Sequence, residues 1–469
     1  MLFNSFGFLL VFFPLVLIAL HLAKKRSSEM AMGVIVLASL AFYSWWDWRY
    51  TPVLIASLVF NYAYGHWLLR DATRAKLFAG IAINLAPLVF WKYTRWISGE
   101  FGEAVGPSEL PLGISFFTFL QISYLVEIFR GKLIPGAPLP YLSFVTYFPH
   151  LIAGPILKYE EMKRQFCALN VTSGVSASDS ARGWILLSAG LFKKVIIADQ
   201  LCAPYVGPVF DAAESATFYE AWMGALAYTG QLYFDFSGYC EMALGMSLIM
   251  GIAIPINFLS PYRSASISEF WRRWHISLGH WFRDYVYIPL GGSRHGFLKT
   301  SCVLLVTMLL AGAWHGAGWT FIVWGLMHGA MLVAHRAWTT TGFTLPRGVA
   351  VTATLIAVMF AWVIFRADSV ADALALWHSM AGLNGVVLPS GFEGVAAIFP
   401  SWVTIEPSVM SWGTEVPLLV LLLCFCATAR NVHELEIRPS FTRAVGVGAM
   451  GMVSAFYLAT PSTFLYFQF

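Results

Sequence analysis

Thr300–His335 reads TSCVLLVTMLLAGAWHGAGWTFIVWGLMHGAMLVAH, a run without a single Asp, Glu, Lys or Arg. A helix rises about 1.5 Å per residue and a bilayer core is about 30 Å thick, so the run is too long for one crossing. Gly312, Gly316 and Gly318 offer a place for it to break and turn. Lys299 and Arg336 then bound two arms that leave the membrane on the same side. The first arm, Thr300 to Trp314, reads as short, which predicts a turn that stops inside the protein at membrane depth. His315 sits in that turn. An ionisable side chain at such depth is costly and marks a functional site by default. The competing reading is a histidine that only hydrogen-bonds a neighbouring helix.

Working outward, the whole chain has the composition that such a hairpin needs. Of its 469 residues 58% are hydrophobic and 12% charged, with a mean hydropathy of +0.68. Soluble domains carry roughly 25% charged residues, so this is a polytopic membrane protein. The net charge of +4 is small and scattered, which excludes a nucleic-acid partner and fits basic loops on one side of a membrane. The six cysteines form no C-x-x-C pair and read as small buried hydrophobes. Lys24, Lys25 and Arg26 follow the first apolar stretch instead of preceding it, which predicts a retained anchor with its N-terminus outside.

The alternation continues along the chain. Apolar segments run over Phe8–His21, Met32–Trp45, Val53–Leu69, Leu77–Phe90 and Leu110–Phe129. Basic residues follow the first, third and fifth, although Lys92 and Arg95 blur the fourth. Tyr141–Leu157 is interrupted by Pro149, Gly154 and Pro155, and Leu186–Ala198 carries Lys193 and Lys194, which predicts broken or re-entrant helices. Ala216–Phe236 and Met242–Ile256 read as two separate spans, and Ala350–Phe365, Val416–Ala427 and Val445–Leu458 as three more. Between Arg366 and Trp412 a longer external loop is expected. The result is an all-α polytopic fold of about eleven to thirteen membrane segments, residues 1–469 forming a single domain.

A second region, Ser266–Arg294, concentrates Arg272, Arg273, Arg283 and Arg294 among tryptophans and tyrosines. As one helix it would place Trp271, Trp274 and Leu278 on a common face and turn the arginines away. Its plain reading is an interfacial anchor. Its functional reading is a cationic mouth for an anionic, phosphate-bearing donor, with His275 lining the same entrance. His280 and Asp284 have the His-x-x-x-Asp spacing of soluble acyltransferases, but Tyr285 follows instead of their glycine. His433-Glu434 lacks the second histidine of a zinc helix. No nucleophile elbow, P-loop or dinucleotide fingerprint occurs, so no bound cofactor and no metal are expected.

In order along the chain, PLGISFFTFLQISYLVEIFRG (111–131), FPHLIAGPILKYEE (148–161), GLFKKVIIAD (190–199), QLYFDFSGYCEMALGMSLIMG (231–251), ISEFWRRWHISLGHWFRDYVYIPLGGSR (267–294) and AWHGAGWTFIVWGLMHG (313–329) resemble the membrane-bound O-acyltransferase family. The likeness is to its bacterial branch, which includes the membrane subunit of alginate O-acetylation and the D-alanyl transferase of teichoic acid. It extends to about Asp368 and is looser beyond.

The resemblance implies helices, some broken or re-entrant, around a central tunnel, and an acyl thioester, with acetyl-CoA expected, on the cytoplasmic side. It implies catalytic roles for His315, in its Trp-His-Gly setting, and for His275, in Arg-Trp-His-Ile-Ser. Arg272, Arg273, Trp274 and Trp314 are the expected substrate-binding residues. Further expectations are a bacterial inner membrane, a periplasmic N-terminus, and a periplasmic acetyltransferase partner acting on an exported polysaccharide. A thioester is already activated, so transfer to a hydroxyl needs no ATP, only a base near the acceptor and a means of stabilising the oxyanion. The resemblance also admits D-alanyl transfer from a carrier protein to teichoic acid, and the polytopic composition fits a transporter with His315 on a solute path. The ordered motifs and the absence of a repeated half weigh against the transporter.

Overall fold

The computed structural model describes residues 2–107, 109–169, 175–401, 403–406, 415–434, 440–459 and 464–465. The chain runs α1 (Phe13–Lys24, entered through a π-helical turn Gly7–Phe12), α2 (Ser28–Trp46), α3 (Thr51–Arg70), α4 (Arg74–Glu100) and α5 (Ile114–Phe129). Shorter pieces follow: α6 (Pro138–Thr146), α7 (Phe148–Leu151), α8 (Tyr159–Cys167), α9 (Ala177–Phe192) and α10 (Gly207–Phe210). Then come α11 (Phe218–Ile249), α12 (Ile267–Arg273), α13 (Ile276–Phe282), α14 (Gly296–His315), α15 (Trp319–Thr340) and α16 (Arg347–Arg366). The last are α17 (Val370–Met380), α18 (Glu415–Thr428) and α19 (Phe441–Phe456). The strands β1 (Val386–Pro389) and β2 (Val403–Glu406) pair in parallel.

Among the described residues five helices are long and apolar enough to cross a bilayer: the first with its π-turn, α2, α4, α14 and α16. Their outer faces carry exposed Leu10, Leu15, Leu37, Phe78, Val89 and Leu310, as lipid contact requires. Serine or threonine caps start many helices, since four N–H groups at each start lack a partner within the helix. Thr217 and Glu220 form a reciprocal capping box at the head of α11.

Several expectations change. The two spans read at Ala216–Phe236 and Met242–Ile256 are one helix, α11, of 32 residues. Gly238 does not break it, because it is a packing site. A Cβ there would meet the Gly190 carbonyl oxygen of α9 at 2.7 Å, and one on Gly245 would meet that of Gly183 at 2.5 Å. Small residues let the two backbones touch, as at many helix contacts in membranes. The charges on α11 are neutralised from the same neighbour: beyond α9 the chain continues as a π-helix (Lys193–Cys202), where Lys193 meets Glu241 at 2.5 Å and Lys194 meets Asp235 at 2.5 Å.

The arm before His315 is not short. Its helix begins at Gly296, ahead of Lys299, and its 20 residues span about 30 Å. The expected external loop after Arg366 contains α17 and the strand pair; Trp412 lies outside the described residues. Three cysteines, Cys167, Cys302 and Cys424, are exposed instead of buried, since an apolar neighbourhood in sequence does not say which helix face a residue takes.

Candidate active site

The turn read at Gly312–Trp319 is present. α14 ends on His315, Gly316 and Gly318 are extended, and α15 starts at Trp319. The two arms pack through glycines: a Cβ on Gly312 would fall on the Phe321 carbonyl, and one on Gly325 on the Met308 carbonyl. The imidazole of His315 is 5% exposed and boxed by Trp314, Trp324 and Phe365, with ring centroids at 4.9, 5.0 and 5.2 Å.

A helix end leaves its last carbonyls without partners in the helix. Here α4 supplies them. Lys92 Nζ donates to the Trp314 carbonyl at 2.5 Å and the His315 carbonyl at 2.7 Å, and the Tyr93 hydroxyl donates to that of Ala313. One and two turns further along α4, Trp96 meets the Trp319 ring edge-on at 5.5 Å and Glu100 accepts from the Trp319 indole N–H at 3.0 Å. A cation at a helix C-terminus also meets the negative end of its dipole. Sequence reading missed Lys92 as a site residue, although a lysine closing an apolar run was the signal.

Ser266–Arg294 is not one helix. It breaks between α12 and α13, with Trp274 extended and His275 left-handed at φ 42°. Trp271, Trp274 and Leu278 therefore share no continuous helical face. Asn257 holds the break: its carbonyl oxygen accepts from Ile276 N at 2.9 Å, and its side-chain oxygen accepts from the Ser277 amide at 3.1 Å and hydroxyl at 2.9 Å. The reversal takes His275 away from the arginine surface, where it was expected, and buries it beside Phe236, at 4.7 Å.

Trp314 neighbours both histidines, its ring centroid 6.2 Å from His275 and 4.9 Å from His315. The arginines lie elsewhere. Arg272 is exposed. Arg273 is tied to Glu269 at 2.9 Å and donates to the Leu259 carbonyl at 3.1 Å. Trp274 is a wall residue, buried among Phe258, Phe270 and Trp362.

Cavities approach this centre from opposite ends. A vestibule of about 1000 Å³ is lined by Trp46, Asp47, Trp91, Arg95, Glu109 and Gly316, among others, at the ends of α2 and α4 away from the basic loops. It shares Lys92, Leu110 and Leu112 with a neck of about 50 Å³ that reaches Trp314 and His315. At the other end, near Arg130, a cavity of about 300 Å³ is lined by Lys158, Glu161, Ser277, His280, Asp284 and Tyr285. Burial opposes ionisation of Asp284, but hydrogen bonds from Arg283 and Lys158 outweigh it and hold its carboxyl below the usual range. A chain of rings links the neck to this cavity: Trp314 of the neck lies 5.3 Å from Phe119, which stacks at 3.7 Å on Trp281 of the cavity. Among the described residues no group of three or more His, Cys, Asp or Glu side chains gathers to hold a metal.

The family model of the membrane-bound O-acyltransferases matches residues 136–377, which include His275 and His315. The peptidoglycan O-acetyltransferase of Helicobacter pylori is 36% identical over 100% of this chain and 98% of its own length. The "Probable alginate O-acetylase AlgI" of Azotobacter vinelandii is 40% identical over 81% of this chain and 78% of its own. A teichoic acid D-alanyltransferase of Lacticaseibacillus rhamnosus is 30% identical over 62% of this chain and 75% of its own. A helical, multi-pass membrane protein with these relatives and a buried histidine at the tip of a helical hairpin is an O-acyltransferase: the chain belongs to the membrane-bound O-acyltransferase family.

Proposed function

We propose that the protein is an O-acetyltransferase of the bacterial inner membrane. In this reading it takes acetyl from a cytoplasmic thioester, acetyl-CoA, and passes it outward for O-acetylation of an exported polysaccharide. The observation that carries the reading is His315, set between a vestibule at one end of the molecule and a cavity at the other. The positive-inside pattern puts Lys24, Arg70 and Arg130 in the cytoplasm, hence the inner cavity on the donor side and the vestibule in the periplasm. Relatives named for acetyl transfer align over 81–100% of this chain and those named for D-alanyl transfer over 48–62%, which favours acetyl.

The chemistry uses the two histidines and their cage. The neutral His315 imidazole takes the proton of the acceptor hydroxyl as its oxygen attacks the thioester carbonyl. The C–S bond then breaks and the departing thiolate takes the proton back. His275, beside Trp314, keeps the indole in register with His315. The aromatic walls exclude water, so the thioester meets the acceptor before it meets hydroxide. Arg272, on the cytoplasmic surface, is free to meet donor phosphates as they approach. A periplasmic acetyltransferase that receives the acetyl group is the partner the vestibule would serve.

The test is thiol release from acetyl-CoA by the protein in lipid vesicles, with a candidate acceptor, comparing wild type with His315→Ala. Release by the wild type and a loss of about 10²–10⁴-fold in the variant, with unfolding temperature unchanged, is the expected result. Equal release by both removes His315 from the chemistry. No release by the wild type points to a carrier-bound D-alanyl donor.

A further inference from the structure

Lys92 is held where the proposed reaction would develop negative charge. Its Nζ is fixed by two carbonyls of the residues that carry the site, Trp314 at 2.5 Å and His315 at 2.7 Å. A protonated lysine has three N–H donors. Two are spent on those carbonyls, and the negative end of the α14 dipole favours keeping the charge. Lys92 also lines the neck, together with Trp314 and His315. At about 50 Å³, the neck has room for only about one or two waters at the roughly 30 Å³ each takes in the liquid. Whatever reacts there does so beside both side chains.

We propose that Lys92 is a catalytic residue: its third N–H stabilises the oxyanion formed when an acyl carbonyl is attacked beside His315. The inference rests on the reading of His315 as the base. In the step, the hydroxyl oxygen bonds to the carbonyl carbon and the hydroxyl proton moves to His315. The carbonyl π-pair collects on oxygen, facing the Lys92 N–H. Collapse restores the carbonyl, breaks the C–S bond and returns the proton to the thiolate, so Lys92 itself gains and loses nothing. A flexible lysine would have to be ordered at each turnover; this one is ordered in advance by the helix end that it caps, as electrostatic preorganisation requires.

The experiment measures thiol release from acetyl-CoA by the full chain in lipid vesicles. It compares wild type, His315→Ala, Lys92→Met, Lys92→Arg and Tyr93→Phe, with an unfolding temperature for each. The expected result for Lys92→Met is a loss of about 10²–10³-fold in kcat, the usual cost of one oxyanion donor. kcat/KM should fall by the same factor, leaving KM for acetyl-CoA in place, because the contact exists only in the transition state. Lys92→Arg should recover part of the loss. Tyr93→Phe, which removes a cap from the same helix end without touching the neck, should keep most of the activity. A Lys92→Met protein at wild-type kcat overturns the proposal. So does a Tyr93→Phe protein as impaired as Lys92→Met, since Lys92 would then be only a helix cap. Undiminished release by His315→Ala instead overturns the reading of the base beneath it.

Discussion

At the scale of single residues the site depends on one unusual backbone position and on the side chain that holds it. His275 holds φ at 42°, a conformation that asparagine tolerates and β-branched residues resist. His275→Asn is therefore expected to fold like the wild type and to report what the ring does, whereas His275→Val should unfold at lower temperature. Thermal unfolding of the two in one detergent decides it, and equal melting would mean that the turn relaxes. Asn257 is the companion case. Removing its side-chain oxygen in Asn257→Ala leaves the buried Ser277 amide without its acceptor, at a cost of about 1–3 kcal/mol, read from chemical unfolding.

At the scale of elements, the contact of α9 with α11 is made backbone to backbone. In Gly245→Ala the new methyl would sit 2.5 Å from the Gly183 carbonyl oxygen and 2.6 Å from Leu187 N. Neither atom is the end of a flexible side chain, so the helices must part. About 1–3 kcal/mol of destabilisation is expected, with a lower unfolding temperature as the readout. The segment after α13 is tied to the start of α8 through Asp284, which meets Lys158 at 3.2 Å. The Asp284 carboxyl lies below its usual range when folded. Its stabilising effect is thus complete above the unfolded pKa, near 3.9, and is lost as pH falls through the lower folded value. Wild type should outlast Asp284→Asn in unfolding runs at pH 5 and above, and the difference should fade below that. A constant difference across this range would mean that the charge is not what matters.

At the scale of the whole molecule, buried charge links parts far apart in sequence. Lys194 meets Asp199 at 2.8 Å and Asp235 at 2.5 Å, with Lys194 and Asp235 almost wholly buried. Asp235 also accepts from Leu465 N at 3.1 Å, which ties the end of the chain to the middle of α11. Removing one partner of a buried pair typically costs about 3–5 kcal/mol. Asp235→Ala should accordingly lower yield and unfolding temperature more than Asp199→Ala, whose carboxylate is more exposed; the reverse order would place the essential pairing at Asp199. Much of this architecture was legible in the linear pattern. The membrane class, the first five segments, the broken stretch at Pro149 and the turn at His315 all follow from where charges and glycines interrupt apolar runs. Two spans were read where α11 runs unbroken; the gap left between them, residues 237–241, holds Gly238 and Glu241, whose partners are supplied by α9 and the following π-helix.

Hydrophobic runs, basic loops and the Trp-His-Gly turn are properties of neighbours in the chain, and they determined the membrane fold, its expected orientation and the candidate base. Tertiary structure decided what no local pattern carries. His275 is buried beside Phe236 and Trp314 because Asn257 holds a left-handed turn. Arg273 serves Glu269 and the Leu259 carbonyl. Lys92, more than 200 residues before His315, caps the helix that ends on it. The physical reason is the same in each case: a buried polar group must find its partner in space, and sequence spacing says nothing about which partner that is.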